Sequence, residues 1–197
     1  ARAILEQGRA RFKAAHNGAA SEDLWLAGVR AERRAGNDAA AGVLLARALQ
    51  ELPAGGRLWA EAIRAAPRPQ RKSKSADALK KADNDPYVVA AVAELFLSDR
   101  KVDKARNWLT RAVTLGPTIG DFWAALYALE LQHGNDETRR VVISKCEEAK
   151  PTHGEVWTSV SKAVENAHLP TAALLNKAVV ALADAQKARA AAAAAAN

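Results

Sequence analysis

Tryptophans recur in this chain at a fixed distance. Trp25 and Trp59 are 34 residues apart, as are Trp123 and Trp157, and Pro117 and Pro151 keep the same interval. A glutamate follows the aromatic at the seventh position in Trp25/Glu32, Tyr87/Glu94 and Trp123/Glu130, and Glu165 follows Trp157 one place later. A period of this size marks stacked helix–turn–helix units, none of which can bury its apolar face alone. The pattern predicts an all-α chain, an α-solenoid of helix–turn–helix repeats.

The stretch from Gly120 to Pro151 shows the unit most clearly. Phe122, Trp123, Leu126, Tyr127 and Leu129 fall at helical spacing, and Asp121 ahead of them suits an N-cap. His133-Gly134-Asn135 predicts the turn, because glycine and asparagine tolerate the left-handed conformation that ends a helix. A second helix follows from Asp136 to Ala149 with Val142, Ile143, Cys146 and Ala149 inward. Trp25, Glu32, Trp59, Tyr87, Glu94, Trp123, Glu130 and Trp157 are read as the anchors of the repeat core, since each glutamate lies two turns beyond its aromatic on one helix face.

Taken in order, residues 1–16 read as the second helix of a truncated repeat with Ile4, Leu5, Gly8 and Phe12 inward. Residues 17–184 read as about five repeats, and residues 185–197 as an alanine-rich tail. Ser21 is the expected cap of the next helix, and Val43, Leu44, Ala48 and Leu49 the inner face of its partner. The repeat at 54–84 is irregular: Ala66 stands where the period calls for glutamate, and Pro67 and Pro69 flank Arg68. Arg68 to Ser75 is therefore expected to be an exposed loop followed by a short helix. Trp108 falls outside the tryptophan register and is expected inward on a second helix, and Glu155–Ala167 and 170–184 are expected to form the last pair.

Charge is concentrated in the irregular repeat. Of a net +7, the segment from Arg64 to Lys81 carries +6, with seven bases against Asp77 alone. These bases (Arg64, Arg68, Arg71, Lys72, Lys74, Lys80 and Lys81) are the candidate partner-binding residues, because like charges this dense favour a partner of opposite sign. No aromatic interleaves them, which favours a protein or mixed surface over a single-strand reader. The lone Cys146 allows no internal disulfide and fits a reducing compartment. No run of about 20 apolar residues predicts a membrane span, and no secretory signal is read at the start. Methionine is absent even from position 1, so the chain is expected to be a piece of a longer protein.

No catalytic or metal-ligating pattern is present, and no cofactor or small-molecule substrate is expected. His16, His133, His153 and His168 all fall in expected turns, and Cys146 has no Cys-x-x-Cys partner. The tryptophans share their register with leucines and read as core rather than as a stacking platform.

The aromatic-x6-Glu register resembles the half-a-TPR (HAT) repeats of RNA-processing proteins. The runs ARAILEQGR, LWLAGVRAERRAG, LLARALQELP, APRPQRKSKSADALKKADNDP, ARNWLTRAV, ELQHG and CEEAKPTHGEVWTSVSK are together similar to the C-terminal repeats of the pre-mRNA-processing factor 6 family. The likeness covers Ala1 to about Lys162 and is most specific from Pro67 to Pro86. It implies HAT/TPR-like repeats in a nuclear, non-enzymatic scaffold of mRNA splicing. Such a scaffold bridges U5 and U4/U6 snRNP proteins in the spliceosomal tri-snRNP, with a possible snRNA phosphate contact through the basic segment. The alternative is a direct RNA-binding HAT-repeat module of another RNA-processing complex.

Overall fold

The computed structural model describes residues 2–16 and 20–195. Residue 1 of the expected truncated repeat, residues 17–19, and residues 196–197 of the expected tail lie outside them. Among the described residues the chain is all-α, with one isolated bridge between Ile119 and His153. The helices are α1 (Arg2–Ala15), α2 (Glu22–Arg34), α3 (Asp38–Glu51), α4 (Gly56–Ala65), α5 (Arg68–Lys81) and α6 (Pro86–Ser98). They continue with α7 (Val102–Leu115), α8 (Gly120–His133), α9 (Asp136–Ala149), α10 (Glu155–Ser161) and α11 (Thr171–Ala195), with a 3-10 turn at Val164–Asn166.

Contacts divide the chain into two compact units, one of residues 1–88 and 192–197 and one of Val89–Ala191. In the first, α2 packs on α1, α3 and α4, and α4 packs on α5. Its core joins Trp25, Leu26 and Val29 of α2 to Ala41, Leu45 and Ala48 of α3 and to Leu58 and Ala62 of α4. Small alanines let these helices approach closely. Ser21 caps α2 as expected, accepting from the Leu24 amide. In the second unit α8 is the centre, packing on α7, α9 and α10 and burying Phe122, Trp123, Leu126, Tyr127 and Leu129.

Five local expectations need correction. First, Arg68–Ser75 is not a loop but the start of the 14-residue helix α5. Pro67 and Pro69 sit at the N-cap and within the first turn, where a missing amide hydrogen costs no helical bond. Arginine, lysine, glutamine and alanine then propagate the helix well. Second, the inner face of α3 is Ala41, Leu45 and Ala48, while Val43 is 70% exposed. Val43 lies two residues from Ala41, roughly 200° round the helix. On α1 no residue is fully buried, and Ile4 is 72% exposed.

Third, α10 stops at Ser161 instead of reaching Ala167, because Ala163 is extended and the chain re-enters a 3-10 turn. The buried Asn166 side chain closes that break by donating to the Val160 carbonyl at 2.8 Å. Fourth, the helix expected at 170–184 runs on to Ala195, since alanine, the best helix former, prolongs α11 through the alanine-rich stretch. Fifth, Asp121 does not cap its own helix: Ile119 holds the N-cap position of α8 and offers no side-chain bond.

Candidate functional site

The tryptophan period has a geometric cause. The indole N–H of Trp59 donates to the carbonyl of Pro53, that of Trp123 to Pro117, and that of Trp157 to Pro151, at 2.8, 2.8 and 2.9 Å. Each proline follows the end of a second helix, so its carbonyl is free of helical bonding. Each indole therefore ties the start of one hairpin to the end of the previous one. For Trp25 the corresponding residue, 19, lies outside the described residues; the Arg9 guanidinium covers its ring at 4.3 Å. Trp25, Trp123 and Trp157 are buried, whereas Trp59 and Tyr87 are half-buried.

Acidic side chains make a second tie of the same span. Glu22 of α2 accepts from the Arg57 and Leu58 amides at the start of α4, at 2.9 and 3.1 Å. Asp121 of α8 accepts from the Glu155 and Trp157 amides at the start of α10, both at 2.7 Å. The N-cap residues of those two helices are Gly55 and Gly154, which have no side chain to cap with. The previous first helix supplies the missing acceptor, where the helix dipole favours a negative charge. Close approach is required: a Cβ on Gly120 would fall 2.0 Å from the Trp157 ring. Gly154 also holds φ +126°, which side-chain-bearing residues avoid.

Two of the register glutamates meet arginines of the preceding helix. Glu32 is paired in two bonds by Arg2 of α1 and also accepts from Asn37. Those bonds hold the Glu32 carboxyl below its usual range and the Arg2 guanidinium above its own. Glu130, buried on α8, accepts from Arg106 Nε of α7 at 2.6 Å, which holds the Arg106 guanidinium above its already high range. Glu94 is half-buried on α6, and Ser98 Oγ donates to its carbonyl at 3.0 Å. Glu32, Glu94 and Glu130 therefore sit on separate helices, each with local partners.

The seven candidate bases do not form one patch. Arg71 turns back into its own hairpin, donating from Nε to the Ala66 carbonyl at 2.9 Å and from Nη2 to the Arg64 carbonyl at 3.4 Å. Arg139, at the same place in α9, does the same to Glu130 and Leu131 at 3.1 and 3.4 Å. The fourth residue of these second helices is thus a latch on the last carbonyls of the first helix. Arg64 is half-buried on α4; Arg68, Lys72, Lys74, Lys80 and Lys81 are exposed. Helical spacing puts Arg68 and Lys72 on one flank of α5 and Lys74 and Lys81 on the other, with Asp77 adjoining the second pair and Lys80 between the flanks.

The remaining chemistry-bearing groups stand apart. His16 stacks on Phe12 with ring centroids 4.0 Å apart, and His133, His153 and His168 are exposed. Burial pushes the Cys146 thiol up to about 12, so it stays protonated and packs as a small apolar group. Among the described residues no three of His, Cys, Asp and Glu gather as a metal site, and no helix is long and apolar enough to cross a membrane. A groove of about 680 Å³ runs between α7 and α9 over α8, lined by Arg106, Thr110, Val141, Lys145 and Glu148 among others. Trp108 is not inward as expected: it is half-buried, with Phe96 of α6 at 6.0 Å between centroids. Its place at i+4 from Lys104 and i−3 from Arg111 was the available signal.

Comparison with known proteins points to splicing factors. No family model matches the chain. Protein STABILIZED1 of Arabidopsis thaliana is 60% identical over 117 residues, covering 59% of this chain and 11% of that protein. Human pre-mRNA-processing factor 6 is 52% identical over 99 residues, covering 50% of the chain and 10% of that protein. Pre-mRNA-splicing factor prp1 of Schizosaccharomyces pombe is 37% identical over 159 residues, covering 81% of the chain and 18% of that protein. The chain spans between 10% and 18% of the length of these relatives. By these identities the chain is a homologue of part of the pre-mRNA-processing factor 6 family.

Proposed function

We propose that this chain is a segment of a non-catalytic scaffold in pre-mRNA splicing, acting in the nucleus. In this reading its repeats bridge U5 and U4/U6 snRNP proteins of the spliceosomal tri-snRNP. The observation that supports it best is the use of polar side chains across repeats. Glu22 and Asp121 each cap a helix about 34 residues further on, and the tryptophan N–H groups bond between hairpins. Polar groups committed to such ties hold a surface in shape; they are not free to move protons. The register aromatics and glutamates serve the stack, and the exposed bases Lys72, Lys74 and Lys81 of α5 are the contact points. The relatives named as splicing factors supply the process.

The test replaces Lys72, Lys74 and Lys81 with glutamate in the full-length protein and leaves the latch Arg71 untouched. The expected result is unchanged helicity and weakened co-purification of U4/U6 and U5 components. Normal assembly at low and physiological salt would overturn the contact role of α5.

A further inference from the structure

α7 has two unlike sides. Ala105, Leu109, Ala112 and Val113 are buried in the second unit. Across the helix, Lys104, Asn107, Trp108, Arg111, Thr114 and Leu115 share an arc of roughly 120° by helical geometry. All are exposed except Trp108, which is half-buried, and no acidic residue lies in the arc. The adjoining acids are engaged: Asp103 with Arg106 at 2.9 Å, and Asp99 with Lys101 at 3.6 Å. Phe96 of α6 extends the arc with a second half-buried ring. Cations sit on both rings, Lys104 Nζ at 6.0 Å from the Phe96 centroid and Arg111 at 5.6 Å from the Trp108 centroid.

We infer that this α6–α7 face is a contact surface for single-stranded RNA. Two rings fixed by partial burial offer edges and faces to unstacked bases at little cost in side-chain entropy. An arginine plane can stack on a base while its N–H groups reach phosphate. Lys104 adds a point charge, and Asn107 an amide that can both donate and accept. An acidic protein surface would be served by the cations alone, and the paired rings are what favour nucleic acid. α5 has the greater charge but no aromatic residue, so it lacks the stacking half of such a site. The inference stands without the scaffold reading, because it rests on this face alone.

The experiment titrates the purified chain against a fluorescein-labelled 12-nucleotide oligouridylate, with anisotropy read at low and physiological salt. The parent binds, with affinity falling as salt rises. Trp108→Ala weakens binding about tenfold, while Trp108→Phe stays within about threefold, as expected for loss and retention of a stacking ring. The Lys104→Glu, Arg111→Glu double variant also weakens binding about tenfold and flattens the salt dependence. It changes only exposed residues, so circular dichroism should match the parent and keep the test valid if Trp108→Ala unfolds. Equal binding by parent and double variant overturns the inference, as does no binding by the parent at low salt. Tighter binding of an acidic peptide than of the oligouridylate would assign the face to protein instead and equally overturn it.

Discussion

Two hairpins of one plan, α4–α5 and α8–α9, are held together by different means. α8 buries Phe122, Trp123, Tyr127 and Glu130, and α9 adds Val142 and Cys146. α4 buries Leu58, Ile63, small residues and Glu61, which Arg33 of α2 pairs, with Trp59 only half-buried, and α5 adds just Ser75 and Ala78. Where α8 has Glu130, α4 reaches its period at Ala66, which is buried and unable to pair with an arginine. The element that both retain is the arginine latch, Arg71 in one and Arg139 in the other. The hairpin turn thus survives loss of the register glutamate and of much of the apolar face. A guanidinium can donate twice to the carbonyls that end a first helix, whatever side chains the rest of the hairpin carries.

The largest separation between the hairpins is expected at the tryptophans. Trp123→Ala should lower stability by about 3–5 kcal/mol, and Trp59→Ala by roughly 1–3 kcal/mol because its ring is only half-buried. Equilibrium denaturation followed by circular dichroism measures both, and equal losses would erase the distinction drawn here. Next come the latches. Arg71→Ala and Arg139→Ala should each cost about 1–2 kcal/mol through lost charge-assisted bonds. Arg71→Ala should show the greater local opening, since α5 has little else to hold it. Hydrogen exchange of the α5 amides checks this, and protection unchanged from the parent would mean that Arg71 is not a latch.

The smallest effect is acid sensitivity. Arg2 holds the Glu32 carboxyl below its usual range, so the folded chain takes up that proton less readily than the unfolded one. The resulting stability is present above the ordinary glutamate range and is lost as pH falls through and below it. Denaturation midpoints of the parent and of Glu32→Gln should therefore converge between about pH 6 and about pH 3. Because Arg2 is largely exposed, the gap is expected to be small and to shrink with salt. A gap that widens on acidification would reverse the sign argued here.

The all-α architecture is legible in the chain's residues for a local reason. Helical periodicity, turn residues and capping residues act within one or two turns, so the boundaries of α2 and α9 could be read directly from their residues. The 34-residue interval of tryptophan and proline was equally visible, because three hairpins begin by docking an indole on the proline that follows the helix before. Local signals also misled where they were ambiguous. Two prolines around Arg68 read as a loop, although proline in a first turn is harmless to the helix that follows.

The pairing of groups far apart in the chain is set by packing and is not legible in local sequence. Asp121 looks like the cap of its own helix, and only the proximity of α10 makes it the cap of a helix beginning at Glu155. Arg71 looks like one more exposed base until the end of α4 is placed beside it. The exposure of Trp108 likewise depends on which side of α7 its neighbours cover. The physical reason is common to all three. A charged or aromatic side chain has several partners of nearly equal merit within reach of its own helix, and the choice among them falls to packing that joins residues distant in sequence.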